Sequence, residues 1–263
     1  MRFNHGIFQA GQLTRGVMLL LGACVGVFAL QVIMPDSMNL GFVRLFGLSV
    51  DGIKQGWWWQ VMTYGLLHGN LLHIVLNMLG LYFLGPELER HMGFPAFLLM
   101  FGCCVVLGGL GWLAMMYPTE GVCVGASGGI FGLIGAFAGF FPRRQITLLI
   151  FFVLPVTMPA WLMGALFGLI QLAYLFDPGP SGIAYAAHLA GGIAGYVFAR
   201  LSMRPRAAVY RGEAPRRSMF AADSPSAEEV DRILDKISRD GIHTLTPRER
   251  DQLQRAGKRS RGW

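Results

Sequence analysis

The chain has 263 residues, 54% of them hydrophobic and only 14% charged, where an average soluble domain carries about 25% charge. With a mean hydropathy of +0.48, that scarcity excludes an ordinary soluble domain and calls for a chain solvated mainly by lipid. The net charge of +7 sits almost wholly at one end, with seven Lys/Arg and six Asp/Glu in residues 1–199 and fifteen and nine in residues 200–263; a basic end beside a membrane domain reads as positive-inside retention and attraction to anionic lipid, not as nucleic-acid binding.

A hydrocarbon core of ~30 Å takes about 20 apolar residues to cross as a helix. Apolar runs near 16–34, 66–84, 95–117, 124–141, 158–176 and 183–201 predict six spans. The first is too long for a signal-peptide core and lacks a small-residue cleavage site, so it reads as a retained span. The loop at 35–59 carries Trp57, Trp58 and Trp59, residues suited to the outer membrane interface. Residues 145–158 are apolar but broken by Pro155 and Pro159, so they read as a membrane-embedded or interfacial lead-in to the fifth span. Arg2 and Arg15, Arg90, Arg143 and Arg144, and the basic tail fall on one side of the membrane by this count, which predicts that both termini are cytoplasmic.

The expected divisions are a short N-terminus (1–15), a membrane domain (16–202), a linker (203–225) and a small tail (226–263). In the tail, Ser226-Ala-Glu-Glu229 and Thr246-Pro-Arg-Glu249 match the capping-box pattern. Val230, Ile233, Leu234 and Ile237 share one helical face, which predicts a hairpin of two short helices. Three of the four cysteines, Cys24, Cys103 and Cys104, lie in apolar runs and Cys123 reads as packing, so no disulfide framework is expected.

Polar residues inside spans carry the chemistry, because each is costly there. The fourth span opens with Gly125-Ala-Ser127-Gly128-Gly and continues through Gly132, Gly135 and Gly139, a smooth face for close helix contact. The sixth holds Ala187-His188-Leu-Ala-Gly191 and Gly195, a second small-residue face. If the two faces meet, His188 reaches Ser127 and can take its proton. The second span supplies His73 and Asn77, four apart on one face, both able to donate to a developing oxyanion. No Asp or Glu lies in the spans of Ser127 and His188, so a dyad is expected, with the histidine oriented by packing. Phe131, one turn after Ser127, is placed to cover its ring. His68 and His73 have no third partner of the kind a metal needs, and no metal or organic cofactor is expected. Gly125-x-Ser127-x-Gly129 also matches the nucleophile-elbow pattern, but that motif requires a soluble strand before it and alternating strands and helices around it, and membrane-length apolar segments flank it here instead.

These motifs, in this order and on these spans, resemble the rhomboid family of intramembrane serine proteases over about residues 15–200. Gly85-x-x-x-Glu89-x-x-x-Gly93 looks like a further family motif that holds the loop after the second span. The resemblance implies an all-α six-span bundle with Ser127 as nucleophile and His188 as general base. His73, Asn77 and the Ser127 backbone N–H would form an oxyanion hole, and Gly125 would hold the strained loop that presents Ser127. It also implies a site open to the non-cytoplasmic face, a lateral gate at the fifth span and its lead-in, and substrates that are membrane-anchored proteins cut in or near a span. A bacterial plasma membrane is the expected location. The chain departs from the family at Trp59-Gln60, where many members have Trp-Arg, so the usual anchor of the first loop is absent. An inactive relative that binds membrane clients is the alternative, and such relatives usually lack the serine or the histidine. A transporter is disfavoured by the lack of mid-membrane charge and internal repeats.

Overall fold

A computed structural model describes residues 13–116, 121–150, 153–176, 184–203 and 227–260. Residues 1–204 and 205–263 form two compact units. Ser226 and all of the linker after Met203 lie outside the described residues.

The first unit is built on six apolar helices. They are α1 (Arg15–Ile33), α5 (Leu71–Met92), α6 (Phe94–Met116), α7 (Ser127–Phe140), α8 (Ala160–Phe176) and α9 (Tyr185–Ser202). Between α1 and α5 come α2 (Asp36–Phe46), α3 (Val50–Lys54), α4 (Gln60–Thr63) and a 3-10 turn at Tyr64–Leu66. Helices α1, α5 and α6 are long and apolar enough to cross a membrane, whereas α7 and α8 are shorter apolar helices. α7 is the central helix and packs against α5, α6, α8 and α9. The chain is thus a mostly helical integral membrane protein.

Small residues bring α7 and α9 together. A Cβ added at Gly191 would run into the Gly128 carbonyl, one at Gly195 into the Gly132 carbonyl, and one at Gly135 into the Gly192 carbonyl. The two glycine faces therefore meet backbone to backbone, the packing that substitutes for a hydrophobic drive in lipid. α6 joins the same contact, which the sequence did not suggest. A Cβ at Gly108 would stand 2.9 Å from the Ala187 carbonyl oxygen, and one at Gly111 would stand 2.6 Å from Ala190.

The Gly85–Glu89–Gly93 motif lies on the last turns of α5, not in the loop where it was expected, and it ties three helices together. Glu89 is buried. Its carboxylate accepts from the Thr14 hydroxyl and from the backbone N–H groups of Gly16 (2.9 Å) and Val17 (3.0 Å). The start of α1 has no capping bond from the Thr14 side chain, so a carboxylate from α5 satisfies its orphan donors and faces the positive helix end. Gly85 leaves room for Val17. Gly93, at φ +84, turns the chain from α5 directly into α6.

Gln60 anchors the first loop in place of the arginine. It is fully buried. Its amide donates to the carbonyls of Arg44 (2.9 Å) and Leu45 (3.2 Å), and its oxygen accepts from the Ser49 N–H (3.1 Å) and hydroxyl (3.3 Å). A glutamine can both donate and accept, which an arginine cannot. Trp58 stays largely exposed, as an interfacial aromatic would. The loop is further pinned by a two-residue strand pair, β1 (Leu48–Ser49) with β2 (Val122–Cys123).

The lead-in to the fifth span has regular structure. Residues 145–159 form an antiparallel hairpin, β3 (Gln145–Ile150) with β4 (Leu154–Pro159). Pro155 and Pro159 forbid a helix there, while β-branched Ile146, Thr147, Val156 and Thr157 favour a strand. The Thr147 and Thr157 hydroxyls bond across the pair at 2.8 Å. All four cysteines are free thiols.

The second unit holds α10 (Ala227–Asp240), a short 3-10 turn (Ile242–Thr244) and α11 (Pro247–Ser260). Ile233 and Leu245 are its buried apolar residues, whereas Leu234 is exposed. The capping box at Thr246 and Glu249 closes in both directions, at 2.8 Å and 3.3 Å, and Lys236 of α10 reaches the same carboxylate at 3.0 Å.

Two predictions follow from these contacts. Gly195→Val is expected to cost about 3 kcal/mol, the upper end for overpacking, as lowered thermal stability in detergent. Gly168→Ala is the control: no atom lies within 4 Å of a Cβ there, so no loss is expected. The Thr246 N–H, and after it Lys236, hold the Glu249 carboxyl down from its usual 4.5 to about 2. The stabilisation this gives the tail is complete above pH 4.5, shrinks as pH falls and is gone below about 2. Protection of the amides at residues 246–250, taken as their exchange rate relative to that of an unstructured peptide at the same pH, is expected to fall over that window and to stay constant between pH 6 and 8.

Candidate functional site

Ser127 is the first residue of α7, and the turn before it places it. Gly125 has φ +123, a conformation open to glycine and strained for other residues. Its N–H donates to the Tyr64 carbonyl at 2.9 Å. Tyr64 is itself fully buried, and its hydroxyl donates to the Val105 carbonyl at 2.6 Å. Tyr64 thus fixes the loop that delivers Ser127 to both the preceding turn and α6, a role that a tyrosine in an apolar stretch does not announce in sequence. As the opening residue of a helix, Ser127 stands at the positive end of the helix dipole, where backbone N–H groups lack helical partners.

His188 lies one turn into α9 and is buried. Its Nε2 is 2.8 Å from Ser127 Oγ. The imidazole stacks on Phe131 at 4.3 Å between centroids and 5° between planes, so Phe131 covers the ring face. The other ring nitrogen, Nδ1, is 2.9 Å from Oε1 of Gln171 on α8. Gln171 was missed by a search for carboxylates. The available signal was its cost, because an amide in an otherwise apolar span needs a partner.

α5 supplies the remaining residues. Asn70 caps this helix by accepting from the His73 N–H at 2.8 Å. The His73 imidazole occupies the space a Cβ on Gly125 would need, so it sits beside the loop that presents Ser127. Asn77 is buried one turn on and donates one amide hydrogen to the His73 carbonyl at 3.0 Å; its second hydrogen is the one it has for a ligand. His68 lies edge-on to His73, with ring centroids 5.2 Å apart.

The structure thus joins Ser127, His188, Phe131 and Gln171, with His73 against Gly125. Gly128, Gly132, Ala187, Gly191 and Gly195 serve the helix contact behind them. Gly85, Glu89 and Gly93 lie at α1, α5 and α6, where they hold the scaffold. Such an arrangement can transfer a proton from a hydroxyl to an imidazole next to fixed N–H donors, the elements of acyl transfer.

Residues 55–205 match the Rhomboid domain family, and residues 225–259 match a family of unknown function (DUF6576). Rhomboid protease GlpG of Yersinia pestis is 28% identical over 203 residues, 73% of this chain and 63% of that protein. Rhomboid protease GluP of Bacillus subtilis is 33% identical over 132 residues, 49% of this chain and 25% of the relative. RHOMBOID-like protein 4 of Arabidopsis thaliana is 35% identical over 104 residues, 38% of this chain and 25% of the relative. The chain spans less than two thirds of the length of each of these relatives.

Gly125→Ala tests the loop. A methyl group at φ +123 pushes against His73, and a shift of ~1 Å in a reacting atom costs about 100-fold. The rate at which a serine-directed fluorophosphonate labels Ser127 is expected to fall by about that factor.

Proposed function

This chain belongs to the rhomboid family, and on that footing we propose that it is an intramembrane serine endopeptidase. It cuts membrane-anchored proteins in or near their transmembrane segments. The observation that carries this reading is the 2.8 Å approach of His188 Nε2 to Ser127 Oγ across the α7–α9 contact.

In this reading His188 is the general base and Ser127 the nucleophile. As the serine oxygen attacks the scissile carbonyl, its proton passes to Nε2. The peptide oxygen takes the charge and is met by the Ser127 N–H, the α7 terminus, His73 and the second Asn77 hydrogen. The imidazolium then gives its proton to the leaving amine as the C–N bond breaks. Water enters, repeats the sequence in reverse order and releases the acid product.

The length of α7 supports a site below the membrane surface. Its 14 residues rise ~21 Å, well short of a ~30 Å hydrocarbon core. A serine at its start is therefore sunk within the bilayer, and water reaches it by a cavity from the non-cytoplasmic side. The six apolar helices are six spans, both termini are cytoplasmic, and the membrane is a bacterial plasma membrane. Residues 16–202 are the protease domain, 1–15 its short N-terminus, 203–225 a linker and 226–263 a cytoplasmic helical tail. Substrate enters between α8, with the β3–β4 hairpin, and the rest of the bundle. Neither metal nor cofactor takes part.

Purified full-length protein in detergent, mixed with a generic single-span substrate, tests this. Ser127→Ala and His188→Ala are each expected to lower cleavage by about 10,000-fold or more, with thermal stability preserved. Cleavage by Ser127→Ala removes the nucleophile assignment. A folded chain that neither cleaves nor labels with fluorophosphonate at Ser127 is the inactive, client-binding relative instead.

A further inference from the structure

α8 runs Ala-Trp-Leu-Met-Gly-Ala-Leu-Phe-Gly-Leu-Ile-Gln171-Leu-Ala-Tyr-Leu-Phe and carries no charged side chain. Gln171 is its one side-chain amide. It is buried, with 6% of its surface exposed, and Oε1 lies 2.9 Å from His188 Nδ1. The same ring is held by Ser127 at its other nitrogen and by Phe131 on its face. Among the described residues, the ring nitrogens meet the Ser127 hydroxyl and this amide; a hydroxyl can either donate or accept, so the amide oxygen is the partner that selects which nitrogen carries the proton.

A neutral imidazole has one N–H and one lone pair. An amide oxygen has lone pairs alone, so a bond from Oε1 requires the hydrogen on Nδ1. Nε2 is then left with its lone pair toward Ser127, the form able to accept the serine proton. The opposite tautomer places a hydrogen on Nε2 and cannot act as the base. After proton transfer both ring nitrogens are donors, and Oε1 still accepts from Nδ1, so nothing has to rearrange during the step.

Resting on the dyad reading, we propose that Gln171 is a positioning residue which fixes the tautomer and ring plane of His188, as a neutral third member of a Ser127–His188–Gln171 chain. A carboxylate could do the same in a soluble site. In a low-dielectric span an ionised carboxylate is expensive, and an amide supplies the directional acceptor without net charge.

The test uses the full chain in detergent with Gln171→Leu and Gln171→Glu. Leucine suits an apolar helix and removes the acceptor; glutamate keeps an acceptor oxygen at the same reach. Loss of a partner that orients a histidine typically costs 10–100-fold, so kcat of Gln171→Leu is expected to fall by about that much with KM unchanged. Gln171→Glu is expected to recover at least part of the loss. Nitrogen-15 NMR of histidine-labelled protein gives a readout independent of activity, with the His188 signals identified by their loss in His188→Ala. Wild type is expected to hold hydrogen on Nδ1, and Gln171→Leu to show a mixture of tautomers. A Gln171→Leu variant with wild-type kcat and an unchanged Nδ1–H signal overturns the proposal. If that variant does not fold, an Nε2–H tautomer in wild type overturns it alone, and an Nδ1–H tautomer kept by Gln171→Glu supports it. Cleavage that survives Ser127→Ala, by contrast, overturns the dyad reading itself.

Discussion

α7 and α9 touch through their backbones, and the relation between Ser127 and His188 follows from that contact. Gly128 faces Gly191 and Gly132 faces Gly195, one helical turn further along each helix. A single small pair would leave the helices free to slide or rotate. Two pairs a turn apart fix both movements, because a slip by one turn is ~5.4 Å and would drive a carbonyl into a Cβ-bearing residue. Ser127 adjoins the first of these contacts and His188 adjoins Ala187, whose carbonyl packs on α6 beside Gly108. The 2.8 Å hydrogen bond is thus set by rigid backbone, which spends little side-chain freedom on alignment. Lipid gives helices no hydrophobic reason to associate, so close backbone packing is the force available, and the Ser127–His188 hydrogen bond is built directly on it.

The rest of the bundle meets a different demand of the membrane, which is that no backbone polar group be left without a partner. Two buried side chains do this for irregular chain. Glu89 serves the exposed N–H groups at the start of α1, and Gln60 serves two carbonyls and an N–H in the first loop. Both bond mainly to main chain, with one hydroxyl each, Thr14 and Ser49, beside it. Ser127 and His188 bond instead to each other through their side chains, and that difference is what sets the proposed dyad apart from structural polarity in a chain this apolar.

Much of this was legible because polar residues stand out against lipid-compatible sequence. Ser127, His188, His73 and Asn77 each interrupt an apolar run, and the glycine spacing around the first two indicates which helices must meet. Other features left weaker marks. The 145–159 hairpin was hidden because an apolar stretch with two prolines is consistent with several non-helical shapes, and only the pairing partner decides. Gly108 and Gly111 sit in a span rich in small residues, where nothing in the spacing picks out the two that face α9. Glu89 was assigned to a loop because the end of α5 runs beyond the apolar segment, where hydropathy no longer traces the helix. Gln171 went unseen because an amide was not weighed as a partner for histidine, although its burial cost in an apolar helix was the clue.

Gln171 also links the reactive pair to the most loosely held helix of the site. Only Ala160, Met163 and Gln171 of α8 are buried, and two of these lie in its first turn. Toward the far end of the helix, the attachments are the hydrogen bond to His188 and the stack of Tyr174 on Tyr185 of α9, 5.2 Å between centroids. If substrate enters by displacing α8, as proposed above, it pulls the acceptor away from Nδ1 as the site opens. With Oε1 gone, nothing on the ring favours the Nδ1–H form, and the base is not set. Reseating α8 restores both the helix contact and the tautomer together. On the proposed reading, one neutral hydrogen bond serves as latch and as orientation, so that proton transfer is ready when the helix is closed over a bound segment and disarmed while it is open.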